Sequence, residues 1–332
     1  MNDRVRTLPP FAQFTLTRRI PCAALAVLMF SAVVWSLLAD SVPLLAMLLY
    51  LAGMTLHLLT PALFALILFG GGLIYALQVA AIAAVVVAVA TGFSVISGLV
   101  FFLLYALLPV LAARSLARVG GLNHSARLMA IGLFLATMAA LTAGAVAQGL
   151  SMQQFVGAMV SPFFDILSGF APAGQQIAAE AIERAKETTI WALPGFLAFS
   201  LWLVWWMDVL LGRKLAVTYG FFRGDHSRML MIRFDKATGF ALIAATILSV
   251  IAGGSLQYVA VSTAVMLAGL LALQGVSVAH LWLKAREMQM TLVIMYLLLF
   301  IWSAMIVPFI IAGLLDIWFD FRRSIVPANG EE

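Results

Sequence analysis

Residues 61–90 are PALFALILFGGGLIYALQVAAIAAVVVAVA, a stretch without a charged side chain. It belongs to a longer run, from Ile20 to Ala113, whose one charged residue is Asp40. A soluble fold needs a polar surface throughout, whereas about 20 consecutive apolar residues allow a helix to cross a bilayer. Backbone polar groups must bond internally in lipid, and the apolar runs are continuous rather than alternating, which favours helices over a barrel. The sequence therefore predicts an all-α, polytopic transmembrane helix bundle.

The rest of the chain has the same character, with 64% hydrophobic and 10% charged residues and a mean hydropathy of +1.10. We predict about nine spans, with eight as the alternative. The predicted spans are 20–39, 42–59, 61–90, 94–112, 127–148, 190–211, 237–253, 256–282 and 290–314. Glycine allows helices to bend or approach closely in lipid. The Gly70–Gly72 triplet thus predicts a kink or a break in the third span.

The basic residues predict the orientation, because Lys and Arg of short loops stay in the cytoplasm. Nine spans place 15 of the 19 basic residues on one side, in the N-terminal tail and in loops 113–127, 212–236 and 284–289. The N-terminus is therefore predicted to be cytoplasmic. Topology and anionic headgroups account for the basic surplus, so membrane lipids, and not nucleic acid, are the expected partners. The basic loop 212–236 also suits a cytoplasmic protein partner.

The predicted organisation has a cytoplasmic tail at 1–19, the bundle at 20–314 and a C-terminal tail at 315–332. Nine spans put the C-terminal tail outside, and eight would put it in the cytoplasm. The sizeable segment outside the membrane is 149–189, where residues 177–187 predict an amphipathic helix. Pro172 is a start signal for that helix. Glu180 and Arg184 have the spacing of a helical ion pair.

Catalytic and metal-binding motifs are missing from the sequence. It contains no His-Glu-x-x-His, no Gly-x-Ser-x-Gly and no Walker-type glycine loop with its lysine. The four histidines are scattered, and Cys22 has no second cysteine with which to pair. We therefore expect no enzyme activity, no catalytic residues, no metal and no cofactor.

A polar stripe in the eighth span is the strongest candidate for ligand binding. Gln274, Ser277 and His280 lie near one face of that helix. Polar side chains in lipid contact a ligand or hold neighbouring helices together, and both uses stay open. Asp208 lies near the cytoplasmic end of its span. Because no acidic residue lies in the middle of a span, coupling to an ion gradient is not expected.

A second cluster follows the last span, where Asp316 and Asp320 are four residues apart. Trp318 is predicted to anchor the helix end at the membrane interface. The carboxylates lie close in sequence to Arg322 and Arg323. The pattern predicts an ion-pair network that fixes the last helix.

These two clusters resemble the YybS-like family of uncharacterised predicted bacterial membrane proteins. The matching residues are Gln274, Gly275, His280, Gly313, Leu314, Asp316, Trp318, Phe319, Asp320, Phe321 and Arg322; Trp191–Pro194, Asp208 and Arg213 are also similar. The resemblance implies a protein of the bacterial inner membrane. That family is distantly similar to the substrate-binding subunits of energy-coupling-factor transporters, which bind a small molecule between their helices and use the ATPases of a partner module.

Two hypotheses follow. In the first, the chain is a small-molecule-binding transporter-type subunit without its own ion coupling, in which Gln274 and His280 contact the ligand. In the second, it is a membrane scaffold or assembly protein that binds a cytoplasmic partner through its basic loops.

Overall fold

The computed structural model describes residues 7–39, 42–118, 121–169, 176–227 and 229–324, and in these ranges all regular structure is helical. The α-helices are α1 (Pro10–Thr17), α2 (Arg19–Ser31), α3 (Pro43–Leu58), α4 (Thr60–Ala90), α5 (Val95–Val100), α6 (Leu108–Leu116), α7 (Gly121–Ala147), α8 (Met152–Gly169), α9 (Gln176–Thr218), α10 (Lys236–Ile251), α11 (Gly254–Ala285), α12 (Gln289–Ile301) and α13 (Ile306–Phe319). A π-helical segment, Phe101–Leu107, joins α5 to α6. Short 3-10 segments are Ala32–Ala39, Met229–Met231, Ser303–Met305 and Phe321–Ser324.

Six helical segments of the described residues are long and apolar enough to cross a membrane. They are Arg19–Leu37, Pro43–Ala90, Val95–Leu116, Gly121–Ala147, Glu180–Thr218 and Gly254–Ala285. The bent pair of α12 and α13 makes a seventh if the two helices cross together. The predicted polytopic helical bundle is confirmed, but the predicted count of nine spans is not.

The difference in span count has local causes. The predicted spans 42–59 and 61–90 both lie in the segment Pro43–Ala90. Helix α10 has 16 residues, or about 24 Å at 1.5 Å per residue, less than the ~30 Å of hydrocarbon. The predicted span 290–314 is interrupted at Trp302, whose backbone is extended (φ −126°, ψ 98°).

The segment predicted to lie outside the membrane, 149–189, contains α8 and the first part of α9. Residues 177–187, predicted as an amphipathic helix, are helical, but they do not form a separate element: α9 continues from Gln176 into the apolar residues 190–211 without a break. Pro172 lies outside the described residues. The predicted ion pair is confirmed, with 3.6 Å between Arg184 Nη2 and Glu180 Oε2, and both side chains are exposed.

The chain divides into two compact units, and each has its own packing. The first comprises Met1–Leu133 and Leu201–His226, and the second Phe134–Ser200 and Ser227–Glu332. In the first unit, α4 is interrupted at Gly72 (φ 77°, ψ 177°). Only glycine adopts such a conformation readily, and the predicted break at the glycine triplet is therefore present.

An aromatic cluster forms part of the interior of the first unit. The Phe30 ring contacts the rings of Phe101 and Tyr105 edge-on, with centroids 4.9 and 4.8 Å away. His57 joins this cluster through Nε2, 2.8 Å from the Tyr105 hydroxyl. Such pairs of polar groups satisfy each other where no water is available.

The second unit contains a very close helix crossing between α11 and α13. Gly275 and Gly313 face each other, and a Cβ built on either glycine would lie 2.9 Å from the other's backbone nitrogen. Each such Cβ would also overlap a backbone carbonyl, of Phe309 or of Leu271. Backbone atoms cannot move aside as flexible side chains do, so this crossing requires glycine on both helices.

The crossing predicts that Gly313→Ala is destabilising. We expect a loss of about 1–3 kcal/mol in unfolding free energy, the usual cost of overpacking, measured as a lower melting temperature in detergent. The matched control is Gly157→Ala in α8, where an added Cβ meets only the Ile190 side chain at an ordinary 3.6 Å. Equal melting temperatures for the two variants would contradict the assigned crossing.

Candidate functional site

The side chain of Gln274 is completely buried in the second unit, and both of its polar atoms are bonded. Its Oε1 accepts a hydrogen bond from the backbone N–H of Phe234 at 2.8 Å. Its Nε2 donates to Oδ2 of Asp316, also at 2.8 Å. Gln274 therefore links α11 both to α13 and to the segment preceding α10.

Asp316 is equally buried, and its charge faces a buried arginine. The second carboxylate oxygen, Oδ1, accepts from the backbone N–H of Phe321 at 3.1 Å. Arg322 Nε lies 3.4 Å from Asp316 Oδ2, a distance at which the attraction is chiefly coulombic. Arg322 Nη1 also donates to the carbonyl of Leu230 at 2.8 Å. Burial lowers the pKa of Arg322 and the Asp316 carboxylate opposes this, but a guanidinium stays charged in either case.

A second ion pair closes the end of α13. Arg233 Nη1 lies 2.9 Å from Asp320 Oδ2, and Nη2 lies within 3.5 Å of the carbonyls of Asp316 and Ile317. These carbonyls belong to the last turn of the helix, where cations are favoured. Asp320 has a left-handed backbone (φ 48°) that ends the helix, and it also pairs with Arg323 at 3.2 Å.

We call Arg233, Gln274, Asp316, Asp320 and Arg322 the polar clamp. The carboxylates lie close in sequence to Arg322 and Arg323, and the structure places these residues in one network. Arg233 was not predicted, because that residue lies 83 positions before Asp316 in a basic loop. No local spacing signals a contact of that range.

The other predicted site residues, Ser277, His280 and Trp318, do not belong to the polar clamp. The Ser277 hydroxyl donates to the Leu273 carbonyl of its own helix at 2.9 Å. His280 Nδ1 lies 2.9 Å from the Tyr296 hydroxyl on α12, near the surface. The ring of Trp318 packs edge-on against Phe240. Ligand binding through Gln274, Ser277 and His280 stays a prediction, although the bonds of Gln274 favour the alternative of holding helices together.

Asp208 in the first unit is a buried carboxylate with an unsatisfied atom. Its residue is 5% exposed, and Oδ2 has no hydrogen-bond partner among the described residues. On α9 it lies between Trp205, whose ring contacts Tyr105, and Gly212, which packs against Ala62. Ionisable groups in a spanning helix are costly, and they commonly mark functional positions.

The second unit also contains a cavity of about 380 Å³ where α7 ends and where α8 and α11 begin. The residues around it are Thr142, Ala145, Val146, Leu150, Ser151, Met152, Gln153, Gly254, Ser255, Tyr258 and Val259. It combines apolar walls with a few hydroxyl and amide groups, as small-molecule sites do. The sequence gives no signal for these residues, because isolated serines and threonines at helix ends are common in any bundle.

One of the residues around the cavity, Tyr258, is packed tightly into the core of the second unit. Tyr258 is 2% exposed, and its hydroxyl donates to the Ile190 carbonyl at 2.8 Å. Its ring lies 5.4 Å from that of Trp191. Tyr258 also belongs to a core cluster with Leu141, Val156, Val160 and Phe164. The apolar helix α8 and the start of α9 are thereby fixed beside the cavity.

No group of three or more metal-ligating His, Cys, Asp or Glu side chains occurs in the part of the chain that the structure describes. The helices and the buried polar contacts define the chain as a multi-pass, α-helical membrane protein. More particularly, the chain belongs to the predicted membrane protein family DUF2232, whose model matches residues 41–317. No curated protein and no solved structure matches it. Similarity to YybS-like proteins and to energy-coupling-factor subunits stays a prediction.

The buried ion pair predicts that replacing Arg322 lowers the unfolding free energy much more than replacing its neighbour Arg323. Arg322→Gln leaves the Asp316 carboxylate buried without an opposite charge, so we expect a loss of about 3–5 kcal/mol in unfolding free energy. Arg323→Gln removes a side chain that is 87% exposed, and a loss of at most about 1 kcal/mol is expected. Chemical denaturation of both variants checks this, and similar losses would contradict the assigned clamp.

The unsatisfied carboxylate of Asp208 predicts that its replacement does not lower stability, in contrast to the replacement of Arg322. Asp208→Leu removes a poorly compensated buried charge at similar volume, so we expect an unchanged or higher melting temperature. The control is Asp165→Leu on α8, where the side chain is exposed and no increase is expected. A clear decrease for Asp208→Leu would show that the carboxylate makes a stabilising contact.

Proposed function

We propose that this protein is a membrane-embedded subunit that binds a small, neutral molecule in the cavity of the second unit. The observation that carries the proposal is the cavity itself, a space of about 380 Å³ whose lining combines apolar residues with residues that carry hydroxyl and amide groups. Sites for small ligands in proteins typically occupy about 300–1,000 Å³ and have this mixed lining.

The lining determines the expected chemistry of the ligand. Hydroxyls come from Thr142, Ser151 and Ser255, and an amide comes from Gln153. No charged side chain is among the described residues around the cavity. Since a charged ligand would need a compensating partner in such a site, we expect a neutral molecule with hydrogen-bonding groups and an apolar body.

The distribution of basic residues supports an extracytoplasmic opening. Positive loops mark the cytoplasmic side, and the 149–153 and 253–255 connections lie at the opposite ends of their helices from the basic loops. We propose that the protein lies in the bacterial inner membrane, with its N-terminus in the cytoplasm and this cavity facing outward.

The proposed subunit does not supply its own driving force. The described residues around the cavity include no carboxylate that could couple binding to a proton or sodium gradient. A partner module with ATPases, as in energy-coupling-factor transporters, would provide the energy. The resemblance of Gln274, Asp316, Asp320 and Arg322 to the YybS-like family is the support for this part of the proposal.

A scaffold function is the second candidate, and exposed basic residues favour it. Lys214 and Arg223 are exposed in the first unit, whereas Arg233 of the second unit is engaged in the clamp. The exposed side chains suit an acidic surface on a cytoplasmic partner. Replacing these two residues by glutamine would release such a partner without changing occupancy of the second unit's cavity, and this separates the two candidates.

The ligand proposal predicts a small molecule that is lost when the cavity is filled. Native mass spectrometry of the gently purified protein should show a stoichiometric neutral adduct, and Thr142→Trp should lower its occupancy at least tenfold. The matched control is Ala143→Trp, because Ala143 is exposed on the same helix and does not line the cavity. An adduct that persists in Thr142→Trp, or its absence from the unmodified protein, would contradict the proposal.

A further inference from the structure

The first unit contains two adjoining cavities beside the interrupted helix α4. One has a volume of about 350 Å³ and the other of about 370 Å³. Gly70 and Phe221 line both. An added Cβ on Gly70 would meet only the Phe221 ring, at 3.6 Å. The two spaces therefore share a wall formed by Gly70 and Phe221.

The larger part of the first cavity wall is apolar. Leu16, Leu66 and Ile67 contribute aliphatic side chains. The polar end of Tyr75 is already used, because its hydroxyl donates to the Leu16 carbonyl at 2.7 Å. The first cavity thus suits a hydrocarbon chain, and it offers few groups that a polar ligand would need.

The second cavity has a basic character. Arg223 lines it, is exposed, and pairs with no carboxylate among the described residues. No acidic side chain is among the described residues around either cavity. The pair of cavities therefore combines an apolar space with the positive charge of Arg223.

We infer that these cavities bind one anionic phospholipid, with an acyl chain in the first cavity and the phosphate beside Arg223. Basic pockets between helices on the cytoplasmic side are typical sites for anionic headgroups. Arg223 belongs to the loop 212–236, which the charge distribution places on that side. Other anionic amphiphiles share this chemistry, but a membrane lipid reaches the site directly from the bilayer. The inference concerns the first unit and does not depend on the proposed ligand of the second.

The test is a lipid titration followed by native mass spectrometry of the full chain. The probes are palmitoyl-oleoyl-phosphatidylglycerol, the zwitterionic palmitoyl-oleoyl-phosphatidylcholine, and oleate. We expect one phosphatidylglycerol to bind at least tenfold more tightly than phosphatidylcholine, and more tightly than oleate. Equal affinities for the two phospholipids, or preferential binding of oleate, would overturn the inference.

Variants locate the binding in the two cavities. Arg223→Gln should remove the preference for phosphatidylglycerol, while Lys214→Gln, an exposed charge that lines neither cavity, should keep it. Gly70→Leu should place a side chain in the space beside the shared wall and abolish binding of the single phosphatidylglycerol. Because Arg223 is exposed, its variant should fold even if Gly70→Leu does not. An unchanged preference in Arg223→Gln would overturn the assigned site.

Discussion

The close approach of α11 and α13 is the constraint on which the second unit depends. Helices in lipid gain little from the hydrophobic effect, so their association relies on close packing and on polar contacts. Gly275 and Gly313 allow the two backbones to touch. This contact brings Gln274 within 2.8 Å of Asp316, and the rest of the clamp assembles around that bond. The close packing and the polar network therefore depend on each other, because the Gln274–Asp316 hydrogen bond needs the short distance between the two helices.

The clamp also limits which residues are free to bind a ligand. Buried polar groups in a membrane attract attention as functional sites, yet the amide of Gln274 and the carboxylate of Asp316 bond to each other and to the backbone. Spaces for other molecules lie elsewhere, at helix ends in the second unit and beside the broken helix α4 in the first. The most conspicuous polar motif therefore maintains the structure, whereas the binding that we propose involves the hydroxyl groups around the cavity of the second unit and Arg223 in the first.

Composition and spacing predict part of this structure, and the missing parts have physical reasons. The apolar runs predict the helical membrane class, the glycine triplet predicts the break in α4, and the i, i+4 spacing predicts the Glu180–Arg184 pair. These features are local. Arg233 and the backbone N–H of Phe234 enter the clamp only through tertiary folding. The span count differs because hydropathy does not reveal that α10 is short or that the chain bends at Trp302.

The most direct test of this account is a double-mutant cycle between Gln274 and Asp316, with Gln274→Leu, Asp316→Leu and the double variant. The unfolding free energy of each protein is measured in the same detergent. The clamp predicts a coupling free energy of about 1 kcal/mol or more, because each single variant leaves the other buried group without its partner. Additive effects, within about 0.5 kcal/mol, would contradict the claim that this contact holds the second unit together.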